Sequence, residues 1–502
     1  MRWTHLVLAL SFASLPACGS DTPRDAGDAG DGGGDQGGQD GGAQAGAEGS
    51  GNAEGGGIDA EGDQEGTDEE PPNEGGDEGA SEFSPGEGAE GGEGAEGGEG
   101  DEGGEGGQPA DCPEPGPVPP PVAEQIGIYD AERRQVVMVG GDIGKPDDQC
   151  RPDPQGAGET WIFDTRCRVF KKIGGVGNGP GIRARGLAVL DTKRDRMVLF
   201  GGRSQIEPGG LDYIVTNDLW NLDLETRAWG SMRSRGFPPS ARHSMAGGYD
   251  SVNDRMIIHG GNTSDYWIQY SKIGGTYALD FETQTWEFIE DAGSDVGPGA
   301  RLNHAGAVDS EGQKLYIYGG STDFFDPALG DLWALDFGTL EWTELAKDSP
   351  TRPGTRFMAS TMFDPVAKKL FLFGGHDSTD VGNQNDTWSY DPATDEWENI
   401  TPASVSNQRP PGGNCPDFPV DFVLPRTDVP ERRSAHLSAF DSRRGEWLLF
   451  GGKTDCGIIN DVWSFDPRRL SWTELFTATK GESCNRRDDV VQCVAMCQQG
   501  AG

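Results

Sequence analysis

Short apolar runs separated by polar, turn-forming residues recur at regular intervals along the second part of the chain. Six of these runs are apolar at nearly every position and then end in two glycines: VVMVGG, MVLFGG, MIIHGG, LYIYGG, LFLFGG and WLLFGG. A run that is apolar throughout, and not at alternate positions, is typical of a strand buried on both faces. The pattern therefore predicts sheets that are each packed between two others.

The runs belong to a longer repeat. In its fourth copy the landmarks are, in order, Arg301, Asp309, Gly319-Gly320, Trp333, Asp336 and Trp342. The Arg-to-Asp distance of eight residues and the Asp-to-glycine distance of ten recur in the other copies. The first copy departs from the pattern, with Val122 in place of the arginine and Phe170 in place of the last tryptophan. A repeat of this length indicates stacked units that share one architecture.

Each unit divides into four short strands joined by turns rich in Gly, Asn, Asp and Ser. One such sheet cannot bury both of its faces, and radial stacking of four-stranded sheets is the β-propeller solution. The glycine pair, the aromatic residue before the second aspartate and the tryptophan six residues later resemble the kelch repeat. The resemblance covers residues 122–476 and implies an all-β fold, a six-bladed kelch-type β-propeller.

The first 18 residues have the features of an export signal. A short basic start precedes an apolar run that is too short to span a membrane. The sequence Leu15-Pro16-Ala17-Cys18 resembles the bacterial lipobox, which implies cleavage before Cys18 and lipidation of its thiol; an ordinary signal peptide that contains a cysteine is the alternative. We expect a protein of the bacterial cell envelope, held at the outer membrane or cell surface by its lipid alone.

Residues 19–121 form a linker of different composition. Its part up to residue 116 contains 29 acidic residues and one basic residue, Arg24, and so carries −28 of the formal net charge of −43. A segment with so few apolar residues cannot offset its ordering entropy by burial, so we expect a disordered, self-repelling, Gly-rich tether. Weak Ca²⁺ binding is an alternative, although no twelve-residue loop with spaced ligands is present. Residues 477–502 form a tail in which we expect a short helix carrying Cys493 and Cys497.

Nine cysteines in an exported chain leave an even number after Cys18, which favours disulfides. Cys415 and Cys456 fall in loops at the same end of adjacent units, and we predict that they pair. A bridge between Cys112 and a tail cysteine, joining the first blade to the last, is a second hypothesis.

Loop lengths differ between the two ends of the units. The turns that join the first strand to the second and the third to the fourth are constant. The connection after the glycine pair shortens from 20 residues in the first copy to 11 in the sixth, and the link from Trp397 to Arg433 spans 36 residues. In a four-stranded meander all of this variation falls on one face. Variable loops on a rigid scaffold are where recognition usually occurs.

Two sets of residues on that face are candidates for ligand binding. Aromatic side chains in its loops suit sugars or protein partners, unless they pack beneath their own loops: Tyr213, Tyr266, Trp267, Tyr270, Phe324 and Phe325. The repeated arginines would surround the channel mouth and bind a carboxylate, unless they bond backbone carbonyls or carboxylates of the blades: Arg183, Arg242, Arg301, Arg356 and Arg433. The repeated aspartates are expected to cap turns.

The sequence favours a binding module over an enzyme. Some kelch propellers are enzymes, and a copper oxidase or a sialate mutarotase acting on a carbohydrate is the alternative. His304 and His436 occupy equivalent positions, but no paired-histidine motif, nucleophile elbow or phosphate loop is present. We therefore predict no catalytic residue, metal or cofactor. The acidic composition does not favour nucleic acid, and an envelope or extracellular protein or glycan is the expected partner.

Overall fold

The computed structural model describes residues 111–144, 155–175, 179–205, 210, 212–266, 271–289, 297–323, 327–377, 382–404, 426–487 and 491–498. Within these ranges the chain forms six mainly antiparallel sheets of four or five strands, called blades 1 to 6 in chain order, and one two-stranded sheet. No helix in the described ranges is both long and apolar enough to cross a bilayer. The predicted lipidation site Cys18 lies outside the described residues.

The first three blades are built from consecutive strands. Blade 1 comprises β1 (Ile126–Asp130), β2 (Gln135–Asp142), β3 (Gly156–Asp164) and β4 (Val169–Gly174). Blade 2 comprises β5 (Leu187–Asp191), β6 (Arg196–Gln205), β7 (Tyr213–Asp223) and β8 (Trp229–Met232). Blade 3 comprises β10 (Ala246–Asp250), β11 (Arg255–His259), β12 (Thr276–Asp280) and β13 (Thr285–Ile289), with β9 (Arg235–Gly236) added in parallel beside β13.

The last three blades follow the same plan. Blade 4 comprises β14 (Ala305–Asp309), β15 (Lys314–Gly320), β16 (Leu329–Asp336) and β17 (Trp342–Leu345). Blade 5 comprises β18 (Ser360–Asp364), β19 (Lys369–Phe373), β22 (Thr387–Asp391) and β23 (Glu396–Thr401), with a two-stranded sheet of β20 (His376–Asp377) and β21 (Gly382–Asn383). Blade 6 comprises β24 (Arg433–Ser434), β25 (Leu437–Asp441), β26 (Glu446–Thr454), β27 (Gly457–Asp466) and β28 (Ser471–Phe476).

The two ends of the blades differ as the spacing predicts. At the constant-turn face, each first strand ends at an aspartate that accepts backbone N–H bonds at 2.8–3.2 Å from residues two or three positions later. This confirms the predicted turn caps: Asp130, Asp191, Asp250, Asp309, Asp364 and Asp441. The opposite end, called here the variable-loop face, carries the second-to-third-strand connections and the links between blades.

The core lies between the blades. Six clusters of buried apolar side chains occupy the interfaces, one for each neighbouring pair of blades. The cluster that contains Val136 and Phe163 of blade 1 also contains Leu448 and Phe450 of blade 6, so the six sheets close into a ring. Every residue of β2 is buried, as predicted for a strand between two sheets. These interfaces explain why a single unit could not fold alone.

The glycine pairs bring neighbouring blades into backbone contact. All twelve glycines have positive φ, 55–67° for the first of each pair and 97–118° for the second. The second glycine donates its N–H, at 2.8–2.9 Å, to the carbonyl at the arginine position of the next blade, and in blade 6 to Val122 of blade 1. A Cβ atom on Gly140 would lie 1.9 Å from the Arg183 carbonyl oxygen. Only glycine permits both this conformation and this approach.

The disulfides differ from the predicted ones. Cys456 is bonded to Cys493, so the predicted pairing with Cys415, which lies outside the described residues, is wrong. The reason is the path of the tail: Gly457 pairs with Arg486, and the N–H of Ile458 donates to the Asn485 carbonyl at 3.1 Å. The tail therefore lies against the β26–β27 hairpin.

The proposed bridge between the first blade and the tail is also corrected. Cys112 is bonded to Cys167, in the turn between β3 and β4, and Cys484 is bonded to Cys497. The expected tail helix is present as α1 (Val491–Gln498), preceded by a 3-10 turn over Gly481–Ser483.

Candidate binding site at the channel mouth

The five repeated arginines are part of the scaffold. None is more than 4% exposed. In each, one terminal guanidinium nitrogen donates a 3.0 Å hydrogen bond to the carbonyl of the first glycine of its own blade's pair, eighteen residues later. We call Arg183, Arg242, Arg301, Arg356 and Arg433 the scaffold arginines. The prediction that they offer their guanidinium groups to a ligand at the channel mouth is therefore corrected.

Four of the scaffold arginines also bond a carboxylate of their own blade. Arg356 contacts Asp386 at 2.7 and 3.0 Å, and the indole Nε1 of Trp388 donates to the same carboxylate at 2.7 Å. The same arrangement joins Arg183 to Asp218, Arg301 to Asp331 and Arg433 to Asp461. Burial alone would raise the pKa of Asp331, but the bonds from Arg301 hold it below its usual value.

Blade 3 lacks this carboxylate, since Gly275 stands where blades 2, 4, 5 and 6 have aspartate. Arg242 lies instead over the ring of Tyr277, 4.9 Å from the ring centroid. Burial lowers the pKa of Arg242.

A second ring of residues follows two positions after the scaffold arginines. Each has a left-handed backbone, with φ of 53–59°, and each donates its N–H to the carbonyl of the equivalent residue in the preceding blade at 2.8–3.2 Å. The six bonds form a closed circle, since Glu124 of blade 1 donates to Ala435 of blade 6. We call these the rim residues: Glu124, Arg185, Ser244, Asn303, Met358 and Ala435. They fix the inner ends of the blades around the axis.

The rim residues surround a central cavity of about 140 Å³. The residues that follow each of them complete its wall, among them Met245, His304 and His436. All of these positions lie one or two residues before β1, β5, β10, β14, β18 or β25, so the cavity opens on the variable-loop face. All six blades contribute to it.

Glu124 and Arg185 are the charged side chains among the described residues that line the cavity. The buried Glu124 carboxylate lies 2.6 Å from Arg185, 2.9 Å from Arg203 and 2.6 Å from Lys453. Lys453 also lies 3.2 Å from Asp142. Burial would raise the pKa of Glu124, but the three cations outweigh it and hold the pKa well below its usual value. Arg203, Lys453 and Asp142 complete this ion-pair network but are not among the residues that line the cavity.

Two histidines in the lining of the cavity, His304 of blade 4 and His436 of blade 6, have buried rings. The Nε2 atom of His436 shares a hydrogen bond of 2.6 Å with the Ser360 hydroxyl group. The Nδ1 atom of His436 and both ring nitrogens of His304 are buried without a hydrogen bond to the described residues. Burial, together with the charge of Arg433, lowers the pKa of His436 to about 3, and burial also holds the pKa of His304 far below its usual value. Both imidazoles are therefore neutral.

The predicted aromatic contacts divide into two groups. Tyr213 is only 6% exposed and packs beneath Arg203, whose guanidinium carbon lies 4.1 Å from the ring centroid. Its N–H donates to Asp265 at 2.7 Å, and Tyr266 pairs with Asp212. For Tyr213 the structure thus favours the packed alternative over an exposed contact, because its ring lies against Arg203 of strand β6. Trp267, Tyr270, Phe324 and Phe325 lie outside the described residues.

Sequence reasoning missed the rim. Its residue types differ in every blade, so nothing marked the position except its fixed distance of two from the arginine. In the described part of the chain, no group of three or more His, Cys, Asp or Glu side chains is arranged to hold a metal ion.

Comparison with known proteins agrees with this architecture. The model of the KLHDC2/KLHL20/DRC7 Kelch-repeats domain matches residues 110–297 and 276–415, more than half of the chain. The chain belongs to this kelch-repeat family. Kelch propellers are typically protein-interaction modules.

Several curated relatives are similar over part of the chain. Kelch domain-containing protein 10 of Xenopus laevis is 31% identical over 193 residues, which cover 37% of this chain and 42% of that protein. Kelch domain-containing protein 2 of Bos taurus is 26% identical over 315 residues, 59% of this chain and 67% of that protein. Kelch domain-containing protein 3 of Homo sapiens is 29% identical over 247 residues, 47% and 55% respectively. The chain thus spans about half the length of these relatives.

Proposed function

We propose that this protein is an exported, lipid-anchored binding module whose variable-loop face contacts a protein or glycan of the bacterial cell envelope or its surroundings. The observation that carries the proposal is the contrast between the two faces. The constant-turn face repeats the same capped turn in every blade, whereas the variable-loop face differs in every blade and contains the central cavity. Variable loops on a rigid scaffold are suited to recognising one partner.

The matched test uses charge reversals on the two faces of the full chain. Lys272, in the β11–β12 connection, is exposed on the variable-loop face, and Lys193 is exposed in a turn of the constant-turn face. The Lys272→Glu variant is expected to bind cell-envelope fractions several times more weakly, while Lys193→Glu binds like the wild type. Equal binding by all three proteins, or a loss confined to Lys193→Glu, contradicts the proposal.

The anchor is tested separately. The predicted export signal, the cysteine at its end and the acidic linker support a propeller held at a distance from the membrane. In a bacterial host, Cys18→Ser is expected to move the protein from the membrane fraction to the soluble fraction and to abolish labelling with a fatty-acid analogue. An unchanged membrane fraction would argue against lipidation at this residue.

A further inference from the structure

We propose that the constant-turn face of blades 6 and 1 binds the anionic headgroups of a phospholipid bilayer. The surface consists of the turns 131–134, 165–168, 442–445 and 467–470, which read AERR, TRCR, SRRG and PRRL. We call the eight arginines of these turns the arginine patch. The inference rests on the proposed function for the location of the protein at the cell envelope, but it concerns the face opposite to the proposed partner site.

The charge of the turns differs around the ring. The four turns of the arginine patch contain one acidic residue, Glu132, whereas the corresponding turns of blades 3 and 4 read SVND, FETQ, SEGQ and FGTLE, with four acidic residues and no cation. With the strand residues on either side of each turn included, the first set has eight cations and six carboxylates, and the second has two cations and eight carboxylates. An excess of positive charge is therefore confined to one part of this face, in a chain whose net charge is −43.

The four turns adjoin one another across the boundary between the two blades. The Nε atom of Arg443 in blade 6 donates to the carbonyl of Ala131 in blade 1. The turn 467–470 is joined to the turn 442–445 by a guanidinium N–H that donates to a backbone carbonyl at 3.2 Å. Burial raises the pKa of Glu446, and the charges of Arg444 of blade 6 and Arg168 of blade 1 oppose that rise. The arginines of both blades thus lie on one continuous surface.

Several of these guanidinium groups are open to solvent. Arg134, Arg168 and Arg443 are exposed and form no ion pair with a carboxylate of the described residues. Arg468 and Arg469 lie near Asp466, but their side chains are 66% and 83% exposed. A guanidinium group presents several N–H donors in a plane, which suits the oxygens of a phosphate. The arginine patch therefore offers donors to lipid phosphates without breaking the contacts of the fold.

Exposed apolar side chains accompany the arginines. Leu470, which is 45% exposed, follows Arg468 and Arg469 in the same turn, and Val366, which is 82% exposed, lies in a turn of the neighbouring blade 5. Binding at a membrane interface gains both from apolar area that enters the headgroup region and from attraction between cations and anionic lipids. The combination on this face favours a bilayer over a purely ionic partner.

The described chain also begins at this surface. Asp111 forms an ion pair of 2.6 Å with Arg166, and Cys112 is bonded to Cys167 in the same turn. The chain then crosses to the variable-loop face, where the N–H of Val122 donates to a carbonyl of blade 6 at 3.0 Å. The disulfide therefore moves the covalent junction of the propeller with the preceding segment, which carries the proposed anchor, to the arginine patch. This junction favours a bilayer on the same side.

The experiment measures co-sedimentation with vesicles of the full chain carrying Cys18→Ser, which has no thiol to be lipidated at that position. Vesicles of phosphatidylcholine alone are compared with vesicles that also contain phosphatidylglycerol, and soluble polyglutamate is a separate probe. The protein is expected to bind the anionic vesicles at least about ten times more tightly, and this preference should decrease as salt is added. Equal binding to both kinds of vesicle, or binding to neither, overturns the proposal. Binding of polyglutamate without binding of anionic vesicles would assign the arginine patch to an acidic polypeptide and would also overturn it.

A pair of variants separates the arginine patch from the overall charge. Arg134→Gln/Arg168→Gln is expected to weaken binding to the anionic vesicles about tenfold to thirtyfold, roughly the contribution of two cations near a charged bilayer. Lys272→Gln/Lys368→Gln removes the same charge from exposed positions outside the arginine patch and should bind like the parent protein. All four side chains are exposed, so both variants should unfold at the temperature of the parent. Equal losses in the two variants, or no loss in the first, contradict the assignment.

The two proposals fail separately, because pure lipid vesicles contain no protein or glycan partner. If Lys272→Glu loses envelope binding but anionic vesicles are not preferred, the variable-loop face binds a partner and the arginine patch does not bind lipid. If anionic vesicles are preferred while Lys272→Glu binds envelope fractions like the wild type, the arginine patch stands and the proposed function falls.

Discussion

Two rings of residues surround the axis of this propeller, two positions apart in the chain, and they have opposite properties. The scaffold arginines keep the same residue type in five blades and are almost completely buried. The rim residues have six different side chains on one common backbone conformation. The scaffold ring shows that a side chain repeated from blade to blade has a structural role in folding. The rim shows that repetition of the backbone alone leaves the side chains available for a specific site.

The largest expected effect is on the scaffold ring. Arg356→Met leaves the Asp386 carboxylate buried without its cation, and loss of one partner of a buried ion pair typically costs about 3–5 kcal/mol of the free energy of unfolding. Urea unfolding followed by tryptophan fluorescence measures it. Arg469→Met, at an exposed arginine in the β27–β28 turn, is the control and should be nearly neutral. A cost below about 1 kcal/mol for Arg356→Met would remove the distinction between the rings.

Acid should destabilise the fold through its buried histidines. Burial lowers the pKa of His259 and His436 to about 3, whereas an unfolded histidine titrates near 6.5. Below about pH 6.5 the unfolded state therefore takes up protons that the folded state does not, and stability falls as the pH falls. Each histidine contributes at most about 1.4 kcal/mol per pH unit.

Replacement of one of these histidines isolates its contribution to the pH dependence of the unfolding free energy. His436→Gln, which cannot titrate, should show a shallower loss of unfolding free energy between pH 7 and pH 5 than the wild type. Parallel pH profiles for the two proteins would show that His436 is protonated as easily in the fold as outside it.

A smaller loss of unfolding free energy is expected at Arg242 of blade 3, which has no carboxylate partner. Arg242→Met leaves no buried anion behind, only the Gly260 and Ser240 carbonyls without a donor, so we expect a cost of about 1–3 kcal/mol. Measured beside Arg356→Met under the same conditions, it should be the milder change. If Arg242→Met proved the more severe, the carboxylate would not be what makes the other arginines indispensable.

The smallest effect belongs to the rim. Ala435 has a φ of 53°, which costs an alanine roughly 1–2 kcal/mol and a glycine almost nothing. Since glycine also increases the entropy of the unfolded chain, Ala435→Gly should stabilise the fold by less than about 1 kcal/mol. Ala439→Gly, within strand β25, is the matched control and should destabilise it. Destabilisation by both would show that the Ala435 methyl group matters more than its backbone.

Much of the fold could be predicted from spacing alone. The fixed offsets between Arg301, Asp309 and Gly319 follow from one blade's geometry, so they predict the number of blades, the capped turns and the doubly buried second strands. The same repetition led to the wrong prediction that the arginines bind a ligand. A side chain repeated in five blades, such as Arg301, is required by the structure that all of these blades share.

Other features depend on contacts that no spacing reveals. The rim position of Glu124 becomes part of a cavity only when blade 6 meets blade 1, and its three cations come from Arg185 and from residues after two different glycine pairs. The partner of Cys456 depends on how the tail turns back onto the β26–β27 hairpin. Such long-range contacts are properties of the closed ring.

The circle of six rim hydrogen bonds has a consequence for the order in which the protein folds. The strands of each blade lie close together in the sequence, so blades can assemble one after another as the chain reaches the compartment in which it folds. The circle, in contrast, lacks two of its links until the last blade arrives, and the cavity lacks a wall. Any ligand held there would consequently recognise finished molecules and ignore truncated ones.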